Sequence, residues 1–466
     1  MEHIYSVQDS FKQDRDLSKV DVIHNTNYQR HGTKSYVHSL SRFGFQPTLP
    51  GPYFHVDRVN KVEEGLRGAA HTERALVKKV GNAEPTPITA EDLQNDSMYL
   101  CIVKIGTPPQ AVLLNFDTGS ADTWVFSTHQ GQNSRSGHNV FDPNRSTSFK
   151  VLPGKAWRIT YGDGSYASGD CGSDTLMMGG LAVEGQTIEC AIKASGGFTT
   201  GTGDGLLGLA WSKINMVTDS GTKDPQHTPV ENMIRQHDIP KEAELFTSAF
   251  YSVRDAAPHS FYTFGFIDQD LVKKSGHDIH WTPVDNSKGF WSVPSESFAI
   301  DGANVSALDN TAVVDTGTTL ALLSDSIVKK LYNKIPGAAY DYVNQGYVFP
   351  VGTKAEDLPE FKVSIGNKKY VVQKEHLAFA TTDDKANWYG GVQSRGDLPH
   401  DVLGNIFLQN VYAIWDQGNR RLGLVPKIEA RQNLRPPPDS SASAGGGDGG
   451  KKERVNSITL LSRHSV

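Results

Sequence analysis

Two short stretches of the chain combine an acid, a threonine, a glycine and a further hydroxyl residue in the same order. They read FDTGS at 116–120 and VDTGT at 314–318, and apolar residues precede both. A hydrophobic strand that ends in this way carries a carboxyl group out of the core on a tight turn, where glycine permits close approach. If two such turns face each other, the side chains of Asp117 and Asp315 lie close together. Two negative charges at that distance repel each other, so the pair holds one proton between them.

A carboxyl pair with one shared proton is suited to general acid–base chemistry. The ionised group takes a proton from a water molecule while the protonated group donates to the carbonyl oxygen of an amide. This chemistry needs no metal and no cofactor, and we expect neither. A single Asp-Thr-Gly is an ordinary turn, but two copies in matched surroundings favour the paired arrangement.

The surroundings of the two acids repeat as well. Gly208 in DGLLGLA and Gly404 in DVLGNIF follow the two acids at nearly equal distances. Repetition at long period indicates an internal duplication that produces two similar lobes facing each other. Between about residues 98 and 428, short alternating apolar and polar runs are separated by turn residues, which predicts an all-β protein. Short helices are predicted at 228–236 and at 324–335, the second with Ser324 as its N-cap.

A third stretch, ITYGDGSYASG at 159–169, predicts a hairpin with glycines at its tip. Long hairpins of this kind can close over a cleft and exclude water. Without further context, a plain solvent-exposed hairpin fits the same residues.

The chain divides into four parts by composition. Residues 1–90 form a separable N-terminal segment with a helix-compatible stretch at 59–79, and 82–92 read as a linker. Residues 91–268 and 269–428 are the two predicted β lobes. The tail 429–466 is rich in Pro, Ser and Gly and then basic, and is expected to be disordered.

Several classes of function are disfavoured. The net charge of −6 and the absence of a dense basic stripe argue against nucleic-acid partners, and no apolar run is long enough to span a membrane. GDGLLG at 203–208 lacks the βαβ context of a dinucleotide site, and neither a G-x-S-x-G nor an H-E-x-x-H motif occurs. Cys171 and Cys190 flank a turn, where a disulfide and two reduced thiols are both compatible with the sequence.

Six motifs in order identify a family. FDTGSADTWVFS, ITYGDGSYASG, DGLLGLAW, YTFGFID, AVVDTGTTLALL and VLGNIFLQNVYAIWD resemble those of the pepsin-like aspartic endopeptidases, above all the fungal penicillopepsin and aspergillopepsin branch. The resemblance covers roughly residues 95–428. It implies a bilobal acid-protease fold around a deep cleft, in a monomer that cleaves internal peptide bonds of proteins at acidic pH.

The resemblance also assigns roles to individual residues. Asp117 and Asp315 match the catalytic pair; the residues matched to substrate binding and the flap hairpin are Tyr161, Gly162, Asp163, Ser165, Gly119, Gly317 and Thr318. The residues matched to support of the site are Thr118, Ser120, Trp124 and Thr316. In the fungal branch, an acid at the position of Asp163 admits a basic side chain before the scissile bond.

The N-terminal segment resembles an inhibitory propeptide, in which a basic side chain neutralises the carboxyl pair. Lys34 is the candidate for that side chain, and processing is expected between Lys79 and Tyr99. Family resemblance suggests a secreted or vacuolar protein, although the polar N-terminus lacks the apolar core of a secretory signal.

The alternative is a catalytically silent pepsin-like protein that binds or inhibits another enzyme. Such proteins typically lose an acid or the flap tyrosine, whereas Asp117, Asp315 and Tyr161 are all present here. Asn405 stands where an Asp is common in the family, but it lies outside the acid pair.

Overall fold

The computed structural model describes residues 12–13, 17–25, 28–60, 71–81, 84–88, 92, 99–160, 166–195, 197–252 and 259–427. The predicted flap tip at 161–165, most of the expected processing region and the tail from 428 onward lie outside the described residues. In the part described, strands predominate and helices are short, so the all-β prediction is confirmed.

In its described residues, the N-terminal segment contributes strands and a helix. They are β1 (Val20–His24), α1 (Gly32–Phe43), β2 (Tyr53–Asn60), β3 (His71–Lys78) and β4 (Thr86–Pro87).

The region that carries the first Asp-Thr-Gly turn follows. Its elements are β5 (Tyr99–Ile105), β6 (Gln110–Asp117), β7 (Thr123–Phe126), β8 (Lys150–Thr160), β9 (Tyr166–Met178), β10 (Leu181–Ala194), α2 (Gly197–Thr200), β11 (Gly205–Gly208), β12 (Val217–Asp219), β13 (Thr222–Lys223), α3 (Pro229–Arg235), β14 (Leu245–Ala249) and β15 (Phe261–Phe264).

The region of the second turn completes the described chain. Its elements are α4 (Gln269–Ser275), β16 (His280–Pro283), β17 (Ser292–Pro294), β18 (Ser297–Ile300), β19 (Ala303–Ser306), β20 (Thr311–Val314), β21 (Ala321–Leu323), α5 (Asp325–Tyr332), β22 (Ala339–Asp341), β23 (Gly346–Pro350), β24 (Phe361–Ile365), β25 (Lys368–Val372), α6 (Lys374–Leu377), β26 (Ala378–Thr381), β27 (Asn387–Gly390), β28 (Val392–Ser394), β29 (Asp401–Leu403), α7 (Asn405–Leu408), β30 (Val411–Asp416) and β31 (Arg421–Pro426).

The duplication predicted from the sequence is visible in the strand order. In the first half the order β10-β7-β11-β6 occurs, with β11 parallel to β6 and antiparallel to β7. In the second half the order is β28-β21-β29-β20, with β29 parallel to β20 and antiparallel to β21. Each acid therefore lies at the end of the same strand in a repeated unit.

The N-terminal segment is built into the largest sheet. Strand β1 lies between β5 and β15 and pairs antiparallel with both, with Val22 opposite Cys101 and Val20 opposite Tyr262. Strands β14, β15, β30 and β31 continue this sheet toward the second half. A segment that resembles a propeptide thus supplies a central strand to the described sheet.

The helix considered for 59–79 is wrong for the described residues of that stretch, and residues 61–70 lie outside them. Residues 53–60 and 71–78 instead form the antiparallel pair β2–β3, in register from Tyr53 opposite Lys78 to Asn60 opposite His71. Leu76 and Val77 are consecutive and both buried, which a strand covered on two faces allows. Pairing with β2 outweighs the helix propensity of the charged residues.

The two other helix predictions are confirmed with shorter bounds. Helix α3 begins after Thr228, which forms a capping box with Glu231. Helix α5 begins after Ser324, which occupies the N-cap position but makes no side-chain cap. Helix α1 was not predicted at all.

The three cysteines are free thiols, so the disulfide considered for Cys171 and Cys190 is not formed. The register explains this, because Cys171 lies opposite Glu189 and Cys190 lies opposite Asp170. Neighbouring positions on a hairpin point to opposite faces, and the two thiols belong to different apolar clusters. Among the helices described, none combines the length and apolarity that a membrane crossing requires.

Candidate active site

The two acids emerge from the ends of buried strands and are themselves fully buried. Asp117 is the last residue of β6, Asp315 directly follows β20, and both are 0% exposed. Gly208 and Gly404 lie against the turns, since a Cβ on Gly208 would lie 2.5 Å from Ala121 backbone and one on Gly404 2.3 Å from the Thr318 oxygen. A larger residue at either position would clash with the turn, so close packing requires glycine at 208 and at 404.

The two turns are joined by four hydrogen bonds between their threonines and the opposite backbone. The Thr118 amide donates to Thr316 Oγ1 at 3.0 Å, and the Thr316 amide donates to Thr118 Oγ1 at 3.0 Å. Each hydroxyl then donates onward, Thr118 to the Val314 carbonyl at 3.1 Å and Thr316 to the Phe116 carbonyl at 2.7 Å. This reciprocal network fixes the acids relative to each other.

Each glycine of the two turns lies against the carboxyl group of the other turn. A Cβ on Gly119 would lie 2.6 Å from Asp315 Oδ1, and one on Gly317 would lie 2.3 Å from Asp117 Oδ1. Real Cβ atoms do not approach so closely, so glycine at both positions lets the two carboxyls come together.

The local donors to the two carboxyls are similar but not identical. The Gly119 amide donates to Asp117 Oδ1 at 2.8 Å, and the Gly317 amide donates to Asp315 Oδ1 at 2.9 Å. Thr318 Oγ1 donates to Asp315 Oδ2 at 2.6 Å, as its family match implies. Ser120 differs, because its buried Oγ has no hydrogen-bond partner among the residues described.

Arg42 of the N-terminal segment makes a side-chain contact to Asp117 that Ser120 does not make. Its Nη2 lies 2.8 Å from both carboxylate oxygens of Asp117 and 3.3 Å from Asp315 Oδ2. The Arg42 side chain is only 9% exposed. A single guanidinium nitrogen therefore contacts both acids of the pair.

Lys34, the cation expected from the sequence, is not at the acids. It lies in the first turn of α1, where its backbone amide faces His31 Nδ1 at 3.4 Å. Arg42 is eight positions further along the helix, which corresponds to a rise of about 12 Å. Helix α1 ends at Gly44, whose φ of 63° forms a left-handed C-cap. The last turn of α1, and not the first, reaches the carboxyl pair.

The two carboxyls have different proton affinities in this arrangement. Burial alone raises the pKa of Asp117, but the charge of Arg42 and hydrogen bonds from Asp315, Arg42 and Gly119 bring it below its usual value. Burial is also the largest influence on Asp315; it raises the pKa to about 6 together with the negative charge of Asp117, against the opposing charge of Arg42. The pair thus favours an ionised Asp117 beside a protonated Asp315.

Trp124 lies in an aromatic cluster with Trp157 of hairpin β8–β9, which we call the flap. Its ring stacks on Trp157 at 5.8 Å and receives the edge of Phe198 at 5.4 Å. Its buried Nε1 has no hydrogen-bond partner among the described residues. The flap residues singled out from the sequence, Tyr161, Gly162, Asp163 and Ser165, lie outside the described residues.

A second buried carboxyl pair lies behind the first turn and was not predicted. Asp122 accepts a hydrogen bond from the Met216 amide at 2.7 Å, and Glu189 accepts one from Asn215 Nδ2 at 2.9 Å. Burial raises the pKa of Asp122 to about 7 and that of Glu189 well above its usual value. The two carboxyls also hydrogen-bond each other, which requires a proton on one of them. The sequence motifs do not identify this pair as a site, because Asp122 and Glu189 lie far apart in the chain.

Comparison with known proteins agrees with this geometry. The family model described as eukaryotic aspartyl protease matches residues 98–427. Penicillopepsin-1 of Penicillium rubens is 39% identical over 377 residues, covering 80% of this chain and 87% of the relative. Aspergillopepsin-1 of Aspergillus pseudoglaucus is 39% identical over 337 residues, covering 72% of this chain and 80% of the relative. Aspergillopepsin-1 of Aspergillus clavatus is 37% identical over 390 residues, covering 83% of this chain and 86% of the relative.

The matched region contains both Asp-Thr-Gly turns, and the N-terminal segment precedes it. Both acids, the cross-bonded threonines and the duplicated strand order lie within the residues that the family model matches. The chain is a member of the eukaryotic aspartyl protease family, homologous to the fungal penicillopepsins and aspergillopepsins.

Proposed function

We propose that this protein is an aspartic endopeptidase in its inhibited precursor form, with Asp117 and Asp315 as the catalytic pair. The observation that carries the proposal is the contact of both buried carboxyls with one nitrogen of Arg42. Two carboxyls held this close share a proton when the cation leaves. Family membership supplies the class of substrate, which is protein.

In the proposed reaction, the ionised carboxylate of the pair takes a proton from a water molecule held between the two acids. The water oxygen attacks the peptide carbonyl carbon while the protonated carboxyl donates its proton to the carbonyl oxygen. The product of this step is a tetrahedral diol with no bond to the enzyme. Proton transfer to the amide nitrogen then releases the two peptides.

The N-terminal segment blocks this reaction in two ways. Arg42 contacts both carboxyls at the place where the attacking water would bind. Its positive charge also neutralises the carboxylate that would activate that water. Strand β1 is hydrogen-bonded between β5 and β15, which ties the segment to the body of the protein. Residues 1–90 accordingly act as a propeptide, and we place processing between Lys79 and Tyr99.

Acid releases this block. The pKa of Asp117 is lowered while Arg42 is bound, so the ion pair stabilises the closed form at pH values above the pKa of the unpaired acid. That stabilisation is lost as the pH falls through the lowered pKa. Below it, the buried Arg42 cation has lost the negative charge of Asp117, which favours departure of the segment.

Further features of the proposal follow from the family. We propose lobes at 91–268 and 269–428, a tail at 429–466, a monomer that acts without cofactor, and secretion or vacuolar targeting. Asp163 at the flap tip is proposed to admit a basic residue before the scissile bond. If it does, Asp163→Ser lowers cleavage after Lys relative to cleavage after Phe; an unchanged ratio contradicts this preference.

The test uses the full chain incubated in acid with denatured globin. We expect acid-dependent cleavage that a statine-type inhibitor blocks and that Asp117→Asn abolishes. Absence of cleavage at every acidic pH after removal of the N-terminal segment would instead support the silent binding protein.

A further inference from the structure

A buried histidine contacts the end of helix α2. The His138 side chain is 1% exposed, and its ring stacks on Phe126 at 3.9 Å with an interplanar angle of 7°. The mechanism above does not use it, and no motif singled it out.

Both ring nitrogens of His138 face backbone carbonyl oxygens. Nδ1 lies 3.0 Å from the Gly203 oxygen, and Nε2 lies 3.3 Å from the Thr199 oxygen. A carbonyl oxygen only accepts hydrogen bonds, whereas a neutral imidazole has one donor nitrogen and one acceptor nitrogen. Both contacts are hydrogen bonds only when the ring carries two protons and a positive charge.

A counter-ion for that charge is in place. Asp204 Oδ1 lies 3.8 Å from His138 Nδ1, and Asp204 is the one acid within 4 Å of the ring among the residues described. The carboxylate is held by the Leu113 amide at 2.7 Å and by the Asn139 amide and side chain at 2.8 Å each. Burial raises the pKa of Asp204, and the bonds from Asn139 and Leu113 oppose this rise.

The two carbonyls belong to the segment 195–204, which is described apart from residue 196, contains helix α2, and is here called the anchor loop. At its start, Ser195 donates its amide to the Tyr166 carbonyl at 3.0 Å and accepts the Tyr166 amide on Oγ at 2.9 Å. Tyr166 is the first described residue after the flap tip. Further along, Phe198 contacts the Trp124 ring edge-on. The anchor loop therefore connects the tip end of the flap, the Trp124 cluster and His138.

We propose that doubly protonated His138 is a positioning residue, which fixes the anchor loop by donating to Thr199 and Gly203 and so holds the strands next to the flap tip in position to bind substrate. This inference rests on the proposed protease function. A ring that carries one proton can donate to only one of the two carbonyls. Replacing His138 should therefore weaken substrate binding independently of the catalytic acids.

The direct test measures the protons on the ring. Full-length protein with ¹⁵N-labelled histidine, in an Asp315→Asn background that prevents self-cleavage, is studied by NMR at about pH 4–5, where histidines normally carry both protons. The His138 resonance is identified by its loss in His138→Gln. We expect two nitrogen-bound protons that exchange slowly with solvent; a singly protonated ring at that pH overturns the proposal. This measurement does not depend on peptide cleavage, so it remains decisive if the proposed function fails.

The kinetic test compares His138→Gln with His129→Gln in the segment-free enzyme. His129 is the matched control, because its ring pairs with Asp170 at 3.1 Å and is 30% exposed. For His138→Gln we expect a roughly tenfold higher KM in acid, the equivalent of one charge-assisted hydrogen bond, with kcat little changed. His129→Gln should keep the wild-type KM. A His138→Gln variant whose KM equals that of His129→Gln overturns the proposal.

Discussion

Arg42 is the contact whose removal has the clearest consequence. Replacing it by Met keeps much of the apolar stem of the side chain but removes the cation that lies 2.8 Å from both Asp117 oxygens. The closed form then buries the carboxyl pair with no counter-ion. We expect Arg42→Met to release the N-terminal segment at higher pH than the wild type does.

The size of the effect follows from burial. Arg42 is 9% exposed and Asp117 is 0% exposed, so solvent screens their attraction only weakly. Breaking a buried ion pair by removing one partner costs about 3–5 kcal/mol. One pKa unit corresponds to about 1.4 kcal/mol and to a factor of ten, so a loss of about 3 kcal/mol weakens the closed form by about 100-fold at pH values where Asp117 is ionised.

The assay follows conversion of the full chain to the segment-free form by mass spectrometry across a series of pH values. Lys34→Met is the matched control, because Lys34 is on the same helix but away from the acids. It should convert at the wild-type pH. Arg42→Met that converts at the same pH as Lys34→Met, with a similar melting temperature, would refute our account of the block.

Three further predictions concern the turns and the second acid pair. Gly317→Ala should lower kcat by about 100-fold or more, since its Cβ would lie 2.3 Å from Asp117 Oδ1; near-wild-type kcat contradicts the close approach. Thr118→Val should lower the free energy of unfolding by about 1–3 kcal/mol, because the buried Thr316 amide loses its acceptor; denaturant titration measures this, and an unchanged midpoint argues against the network. Asp122 has a pKa raised to about 7, so its stabilising contribution is complete in acid and lost as the pH rises through that value. Asp122→Asn should flatten the fall of the melting temperature between about pH 4 and 7; a fall as steep as in the wild type contradicts this role.

The sequence predicted the features that repeat. The two Asp-Thr-Gly turns, Gly208 at the end of β11 and Gly404 directly after β29 lie in short local patterns. Such patterns determine the strand ends that carry the acids. The all-β class follows from alternation of apolar and polar residues over short runs. The exchange of hydrogen bonds between the turns was implied only by family resemblance.

Features that depend on contacts between distant segments were missed. Arg42 lies 75 positions before Asp117 in the chain, and nothing around it distinguishes it from Lys34 without the position of α1. The apolar spacing of Tyr36, Val37 and Leu40 and the following Gly44 could have indicated that helix and its end. Residues 71–78 were mistaken for part of a helix because pairing with β2, and not their own propensity, determines their conformation.

The acid pair itself is tested most directly by the pH dependence of kcat/KM for the segment-free protein on one fluorogenic peptide, measured for the wild type, Asp117→Asn and Asp315→Asn. Two carboxyls that share a proton give the wild type a bell-shaped profile over about pH 2–7. We expect each single variant to lose at least about 1,000-fold of kcat/KM across that range. Either variant retaining acid-dependent cleavage near the wild-type rate would contradict a mechanism in which both aspartates act on one water.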